Sequence, residues 1–309
     1  MMHNHSTDIA RGVPDIAVVM STYNGCEFVS DQIESVLAQD VSSLALYVRD
    51  DGSTDGTLQI LEEYERRGQL ILLRGKNVGV VASFIEAISL VPPEVPYIAL
   101  CDQDDVWHPD KLSRALEVLS SHDGEKPLYY CAEYMFCDAE MRPQSRSHLA
   151  RGTLDLAKML YENATSGNTC VINRALAERV ARAGAQGVYC HDWWLALVAS
   201  ALGEVVHDDF SCLEYRRTGS NASPTGSGRM AILRYRIRTF FDKGELRNVT
   251  DQLARLDEAF GEEMPAERRQ LLSRFLLGSR LRKAFAPMRL RQRLTDELAL
   301  RLLFLLGLL

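Results

Sequence analysis

The sequence lacks three features that would each assign it to a particular class of protein. None of its seven cysteines forms a C-x-x-C pair, and their odd number disfavours a disulfide framework, so neither a zinc knuckle nor an exported disulfide-rich domain is indicated. Residues 1–12 contain no apolar segment of the kind that a secretory signal needs. The apolar end, Leu298–Leu309, has twelve residues, whereas a bilayer-spanning helix needs about twenty. We therefore predict a cytoplasmic protein with a flexible tail over residues 1–13.

Basic residues are outnumbered by acidic ones outside the C-terminal region. The 309-residue chain has 35 Lys and Arg against 42 Asp and Glu, a net charge of −7. From Arg268 onward there are ten Lys and Arg and two acids, a balance of +8, which leaves −15 on the rest of the chain. An acidic body disfavours nucleic-acid binding. The basic C-terminal region needs a separate explanation.

Short apolar runs alternate with segments of helical periodicity in the first half of the chain. This alternation predicts parallel βαβ units and an α/β fold. The predicted strands are 16–20, 44–48, 70–73 and 97–101, and the fourth helix is predicted to start at Pro109. The second half is less regular, with predicted strands at 128–136, 167–172 and 205–207, a helix at 191–202 and a Gly- and Ser-rich loop at 219–228.

Polar motifs follow each of the first four predicted strands. In an open α/β sheet the ligand crevice lies beyond the carboxyl ends of the strands, so we expect the four loops to converge on one site. The motifs are Ser21-Thr22-Tyr23-Asn24, Asp50-Asp51-Gly52-Ser53, Asn77-Val78-Gly79 and Asp102-Gln103-Asp104-Asp105.

The acidic motif is the strongest of these signals. Three acids at the end of an apolar strand repel one another unless a cation neutralises them. Mg²⁺ and Mn²⁺ suit such a site, because a hard divalent cation prefers one or two carboxylates together with phosphate oxygens. The alternative is an acidic N-terminal cap of the following helix. The convergence of the four loops favours the metal site.

Two other motifs leave a structural and a functional interpretation open. In the loop after the second strand, Ser53 or its neighbours can cap a helix, but Asp50 and Asp51 then remain to bind a base or a ribose. At the start of the predicted helix 191–202, Asp192 is either a cap or a general base for an acceptor hydroxyl. The two tryptophans beside Asp192 either fill the core or stack on sugar rings.

Taken together, these motifs resemble the family 2 glycosyltransferases with the GT-A fold, and within them the bacterial rhamnosyltransferase-like branch that builds O-antigen, core lipopolysaccharide or capsule. The resemblance implies a Rossmann-like, mainly parallel sheet flanked by helices, with a GT-A catalytic domain at 14–225 and a helical, basic region at 226–309. The matching segments are Ser21–Gly25, Asp50–Asp55, Asn77–Val80, Cys101–Trp107, His191–Trp194 and Tyr215–Asn221.

The resemblance also implies a role for each site residue. Asp104 would be the metal ligand, and Asp192 would be the base of a single inverting displacement. Relatives often have a histidine two places after Arg216; Thr218 stands there in this chain, which leaves the third metal contact to water or His191. The residues expected to hold the nucleotide-sugar are Ser21, Thr22, Tyr23, Asn24, Asp50, Asp51, Asn77, Asp102, Gln103 and, facing the diphosphate, Arg216. Those expected to meet the acceptor are Trp107, His191, Trp193 and Trp194.

The implied reaction moves L-rhamnose from dTDP-L-rhamnose to a hydroxyl of a lipopolysaccharide core, O-antigen or capsule acceptor. A UDP- or GDP-sugar donor is the alternative within the same fold. A sugar nucleotidyltransferase is a further alternative, but it would carry a Gly-rich loop with Arg and Lys after the first strand, where this chain has Ser-Thr-Tyr-Asn. A non-catalytic carbohydrate-binding protein would need neither the acidic cluster nor Asp192.

The basic C-terminal region has two interpretations. Arg280, Arg282 and Lys283 alternate with leucines, and an apolar end follows them. A basic amphipathic helix of this kind fits peripheral attachment to the anionic inner leaflet of the plasma membrane, where a lipid-linked glycan acceptor would lie. The alternative is that these helices pack on the catalytic domain or on a second subunit of a homo-oligomer.

Overall fold

The computed structural model describes residues 12–150, 152–217 and 243–309. The strands are β1 (Ile16–Thr22), β2 (Leu44–Asp50), β3 (Ile71–Arg74), β4 (Tyr97–Cys101), β5 (Val106–Trp107), β6 (Leu128–Cys137), β7 (Pro143–Arg146), β8 (Val171–Asn173) and β9 (Glu204–Arg216). The helices are α1 (Val29–Leu37), α2 (Thr57–Arg66), α3 (Val80–Leu90), α4 (Lys111–Leu119), α5 (Leu156–Met159), α6 (Arg174–Ala183), α7 (His191–Leu202), α8 (Lys243–Phe260), α9 (Ala266–Leu277), α10 (Arg280–Ala284) and α11 (Leu294–Leu306).

The described strands form one mixed sheet in the order β3-β2-β1-β4-β8-β6-β9-β5, with β7 paired to β6. The first four strands are parallel, whereas β8 runs antiparallel to both of its neighbours. Alternate residues of β1, such as Ile16 and Ala17, enter two different apolar clusters and are fully buried, as expected of a strand covered on both faces. The predicted α/β fold is confirmed. The parallel strands bring the four predicted polar loops to one edge of the sheet.

Three element boundaries differ from the sequence prediction. Strand β8 begins at Val171 rather than at residue 167, because Gly167–Thr169 form a short 3-10 helix before it. Helix α4 begins at Lys111 rather than Pro109, because residues 109–110 form a turn before it. Strand β9 extends to Arg216, whereas only 205–207 was predicted. Its polar middle gives no strand pattern, and it is held extended by pairing along β6 with two register shifts.

The C-terminal helices share a core with the first part of the chain. Leu256 and Phe260 of α8, Phe275 of α9 and Phe304 of α11 are buried in the same apolar cluster as α3 and α7. The ring of Phe260 lies 6.1 Å from that of Trp194 in α7, measured between centroids. One face of this region therefore packs on α3 and α7 of the first part of the chain. The predicted boundary between 225 and 226, the loop at 219–228 and most of the tail at 1–13 lie outside the described residues.

Within 12–150, 152–217 and 243–309, no helix combines the length and the hydropathy that a bilayer span requires.

Replacement of Phe260 tests whether α8 belongs to the cooperative core. Phe260→Ala should lower the free energy of unfolding by about 3–5 kcal/mol, because the ring is 1% exposed and its removal leaves a cavity. Leu277→Ala is the matched control: its side chain is 84% exposed, and we expect a change below about 0.5 kcal/mol. Urea unfolding followed by tryptophan fluorescence measures both. Equally small effects would mean that α8 unfolds independently of the sheet.

Candidate active site

The side chain of Asp50 joins the loops that follow β1 and β2. Its carboxylate accepts hydrogen bonds from the Thr22 hydroxyl at 3.2 Å and from the Ser53 hydroxyl at 2.5 Å. Asn24, which has a φ of 50°, makes a second link, because its side-chain oxygen accepts from the Thr54 amide at 2.8 Å. The predicted nucleotide residues Thr22, Asn24 and Asp50 thus lie together. Asp50 is buried, and these partners occupy much of its carboxylate.

Asp51 joins β2 to the N-terminus of α3. Its carboxylate accepts from the Arg49 guanidinium at 2.5 Å and from the amides of Val78 and Gly79, each at 2.9 Å. A negative charge is favourable at this end of a helix. The contact anchors the loop that carries Asn77, whose own side chain is exposed.

Arg49 is a site residue that sequence reasoning missed. It is buried, and its guanidinium also donates to the Ser83 hydroxyl at 3.1 Å and to the Glu86 carboxylate at 2.8 Å. Ser83 in turn lies 2.6 Å from the hydroxyl of Ser21. Arg49 therefore connects two predicted nucleotide residues, Ser21 and Asp51. The sequence feature that could have indicated its role is a cation near the end of an apolar strand, because a buried charge needs a partner.

Gln103 fastens the acidic loop to the loop after β1. The Tyr23 amide donates to its side-chain oxygen at 2.9 Å, and its side-chain nitrogen donates back to the Tyr23 carbonyl at 3.1 Å. A Cβ on Gly25 would lie 2.3 Å from that oxygen, so this approach requires glycine. The Tyr23 side chain stays 47% exposed at the edge of the site.

The three acids after β4 have different surroundings. Asp105 is fully buried and accepts from the side-chain amide of Asn168 at 2.7 Å. Burial, and then the charges of Asp104 and Asp102, raise the pKa of Asp105 well above its ordinary value. Burial, and then the Asp104 and Asp192 carboxylates, raise the pKa of Asp102 to about 7. The cluster therefore favours an added cation, and Asp102 and Asp104 are partly exposed to receive one.

Arg216, at the end of β9, binds the backbone and a side chain of the acidic loop. It is 5% exposed, and its guanidinium donates to the carbonyl of Asp104 at 3.2 Å and to the carboxylate of Asp31 at 2.9 Å. Its backbone amide donates to the Asp105 carboxylate at 3.3 Å. These contacts place Arg216 beside the acidic loop, and its expected approach to a diphosphate stays a prediction. Thr218, in the place of the histidine of relatives, lies outside the described residues.

Asp192 lies at the start of α7, as predicted, and hydrogen bonds from neighbouring residues fix the orientation of its carboxylate. Oδ1 accepts from the Trp193 amide at 2.7 Å and from the Cys190 thiol at 2.8 Å, and Oδ2 accepts from the Gly167 amide at 3.1 Å. Burial, and then the Asp192 charge, raise the pKa of the Cys190 thiol, so it stays a donor. Asn168, the residue after Gly167, donates to the Asp105 carboxylate at 2.7 Å, so this end of α7 lies beside the acidic cluster.

His191 packs beside Asp192 against α3. Its ring stacks on that of Phe84, with centroids 4.3 Å apart, and its buried Nε2 has no hydrogen-bond partner among the residues that the structure describes. Burial lowers the pKa of His191, which keeps the imidazole neutral at neutral pH. A Cβ on Gly167 would lie 3.1 Å from this Nε2, so the histidine is closely covered on that side.

The sequence predicts that three tryptophans contact the acceptor, but the structure buries all three. Trp194 is fully buried and Trp193 is 6% exposed, with its indole nitrogen donating to the Met159 carbonyl at 2.6 Å. Trp107 is 3% exposed, and the Lys111 ammonium lies 3.2 Å from its ring centroid. No ring face is open to a sugar at these positions. Trp193 and Trp194 are covered because α7 is buried on nearly every side, and such a helix leaves no periodic signal in the sequence. Trp107 lies in β5, where the Lys111 ammonium covers its ring.

Comparison with known proteins shows the family of this chain. A family model described as glycosyl transferase family 2 matches residues 17–180. The dTDP-rhamnosyl transferase RfbG of Shigella flexneri is 28% identical over 189 residues, which cover 57% of this chain and 63% of that protein. Uncharacterized mycobacterial relatives are 28% identical over 207 residues, 65% of this chain and 58% of their own length. The chain thus covers less than two thirds of these curated relatives.

Solved structures share the fold. Residues 1–349 of TarS from S. aureus, in complex with UDP-GlcNAc, align with a TM-score of 0.52 at 16% identity, over 95% of this chain and 92% of that one. The mannosyltransferase PcManGT of Pyrobaculum calidifontis, in complex with GDP-Man and Mn²⁺, aligns with a TM-score of 0.54 at 16% identity, over 96% and 75%. The predicted GT-A fold is confirmed.

The contact between Gly25 and Gln103 can be tested with a double-mutant cycle. Gly25→Ala should push the Gln103 side chain away and lower the free energy of unfolding by about 1–2 kcal/mol, through loss of its two hydrogen bonds to Tyr23. In the Gln103→Ala background the same change should cost far less. Gly124→Ala is the control, since its Cβ would meet open space. Full additivity in urea unfolding would exclude the contact.

Proposed function

Because the chain belongs to glycosyl transferase family 2, we propose that it transfers L-rhamnose from dTDP-L-rhamnose to a glycan hydroxyl in one inverting displacement. The observation that carries the proposal is the position of Asp192 beside the acidic loop after β4: the neighbouring residues Gly167 and Asn168 donate hydrogen bonds to Asp192 at 3.1 Å and to Asp105 at 2.7 Å. Donor diphosphate and acceptor base would then lie on opposite sides of one anomeric carbon. RfbG, a dTDP-rhamnosyl transferase by name, supports the choice of donor.

Asp192 would act as the general base. Its Oδ2 accepts one hydrogen bond, from Gly167, and so keeps a lone pair for the proton of an acceptor hydroxyl. As that proton moves to Asp192, the acceptor oxygen attacks the anomeric carbon from the face opposite the diphosphate. The bond from that carbon to the diphosphate breaks, and dTDP leaves. Inversion of a β-linked donor gives an α-rhamnoside.

Asp104, with Asp102 beside it, would hold Mg²⁺ or Mn²⁺. The raised pKa values of both groups, each caused first by burial, support a site that lacks positive charge. In the described residues no three His, Cys, Asp or Glu side chains form a complete metal site, which fits a cation that takes further ligands from the diphosphate and water. When bound, the cation supplies Lewis-acid stabilisation of charge on the leaving diphosphate.

The donor would be recognised by the loops after β1, β2 and β3. Asp50 and Asp51 have protein partners already, so their role would be to shape these loops and to offer remaining lone pairs to the base or ribose. The exposed side chains of Tyr23 and Asn77 are free to close over the nucleotide. Gln103 and Ser21 would act by holding these loops together. A UDP- or GDP-sugar donor is the alternative, supported by the ligands in the TarS and PcManGT structures.

The acceptor would be a cell-surface glycan, such as a lipopolysaccharide core, O-antigen or capsule precursor. Its hydroxyl would approach Asp192 beside His191. A precursor carried on a lipid would require the enzyme to work in the cytoplasm at the inner face of the plasma membrane.

Donor hydrolysis is the direct test of this function. With Mn²⁺ or Mg²⁺, the protein should release dTDP from dTDP-L-rhamnose faster than it releases UDP or GDP from UDP- or GDP-sugars. A chelator of divalent cations should stop the release. The same panel, scored by thermal stabilisation, reports donor binding separately. No metal-dependent release from any of the three nucleotide classes would refute the enzyme. Preference for a UDP- or GDP-sugar would refute only the donor.

Two substitutions separate the roles of the acids. Asp192→Asn should lower kcat of transfer by about 10²–10⁴-fold, the range of general-base catalysis, with donor binding nearly unchanged. Asp104→Asn should weaken binding of metal and donor instead. Asp209→Asn, a change at a side chain that is 82% exposed, is the matched control and should alter neither. The reverse pattern between the first two variants would overturn the assignment.

A further inference from the structure

Exposed apolar side chains concentrate at the C-terminal end of the structure. Of the sixteen large apolar residues that are exposed among the described residues, nine lie between 277 and 308. Their exposed fractions run from 42% to 84%. A concentration of this kind marks a contact surface rather than ordinary surface composition. The nine residues, called here the C-terminal apolar surface, are Leu277, Leu281, Phe285, Leu294, Leu298, Leu302, Leu305, Leu306 and Leu308.

Helix α11 has two apolar faces, of which one is buried and the other is exposed. Leu300, Leu303 and Phe304 are buried, two of them in the main core. Leu294, Leu298 and Leu302 recur every fourth residue, so they form one stripe along the helix, and all are more than half exposed. The core therefore does not account for this stripe. A second partner is needed to cover it.

Helix contacts join the stripe on α11 to the apolar residues of α9 and α10. Arg301 of α11 donates to the carbonyls of Lys283 at 3.0 Å and Ala284 at 3.2 Å. At the end of α11, the backbone of Gly307 lies so close to the Arg280 guanidinium that a Cβ there would approach it to 2.3 Å. Helices α9 and α10 adjoin each other at a groove, which is lined by Leu277, Arg282 and Phe285, among others.

The charge around this surface is strongly positive. Residues 277–309 contain seven Lys and Arg and two acids, a net charge of +5. One of the acids, Glu297, is buried and paired with Arg301 at 2.5 Å. Arg280, Arg282, Arg289 and Arg293 are exposed. The partner must therefore cover apolar side chains and neutralise cations at the same time.

We infer that the C-terminal apolar surface docks on a bilayer that carries anionic lipid. Lipid headgroups neutralise the arginines, and the acyl boundary accepts the leucines and Phe285. A second copy of the chain fits less well, because a two-fold interface would set the same cationic patch against itself. Helix α11 has thirteen residues and is about 20 Å long, so it lies on the membrane rather than across it.

This surface deepens the proposed function and rests on it in one respect. A lipid-linked acceptor would lie in the same bilayer, so docking would bring the catalytic site to it. Binding to vesicles and release of dTDP in solution are measured separately, so failure of one is distinct from failure of the other.

Vesicle flotation of the full chain tests the inference. The protein should float with vesicles of phosphatidylcholine and phosphatidylglycerol, bind pure phosphatidylcholine weakly, and detach at high salt. Leu298→Gln with Leu302→Gln should reduce binding by roughly tenfold or more, and so should Arg280→Gln with Arg282→Gln. Both double variants should still release dTDP in solution at the rate of the unchanged protein, which verifies that they are folded.

Matched controls remove similar groups elsewhere. Leu90→Gln changes a leucine of α3 that is 53% exposed, and Arg66→Gln with Lys126→Gln removes two exposed cations. Neither should alter binding. The inference is overturned if the protein ignores anionic vesicles, if controls and test variants lose binding equally, or if light scattering finds a dimer that Leu298→Gln with Leu302→Gln dissociates.

Discussion

The burial of Asp105 beside two further carboxylates is the constraint on which the site depends. A desolvated acid next to Asp102 and Asp104 is costly, and the fold offsets this with the Asn168 amide and the backbone of Arg216. These contacts hold β9 and the turn before β8 against the loop after β4. The excess of negative charge remains at the exposed side of the cluster, where a bound cation would relieve it.

The loops around this cluster are tied to one another rather than left open for ligand. Gln103 pairs with Tyr23, Asp50 pairs with Thr22, and Asp51 caps α3. Such cross-links pre-organise a site, because the groups that would meet the nucleotide need little reordering when it binds. Several residues that are expected to contact the donor therefore also hold the loops of the site in place.

The C-terminal helices illustrate how one segment satisfies two demands. Phe260 and Phe304 complete the core beneath α7, while the opposite side of α11 keeps its leucines and the nearby arginines outside. Packing on the catalytic domain and contact with a membrane, set as alternatives by the sequence, are compatible because they use different faces of the helices.

The sequence by itself determined the α/β fold and the convergence of the polar loops, because strand periodicity and strand-end motifs are local features and parallel strands align their carboxyl ends. It also placed Asp192 at a helix start. Only tertiary structure decided that Trp194 and Trp107 are core, that β9 extends to Arg216, and that Arg49 links the loops after β1 and β2. These outcomes depend on partners far away along the chain, and burial on both sides of an element leaves no periodic signal in the sequence.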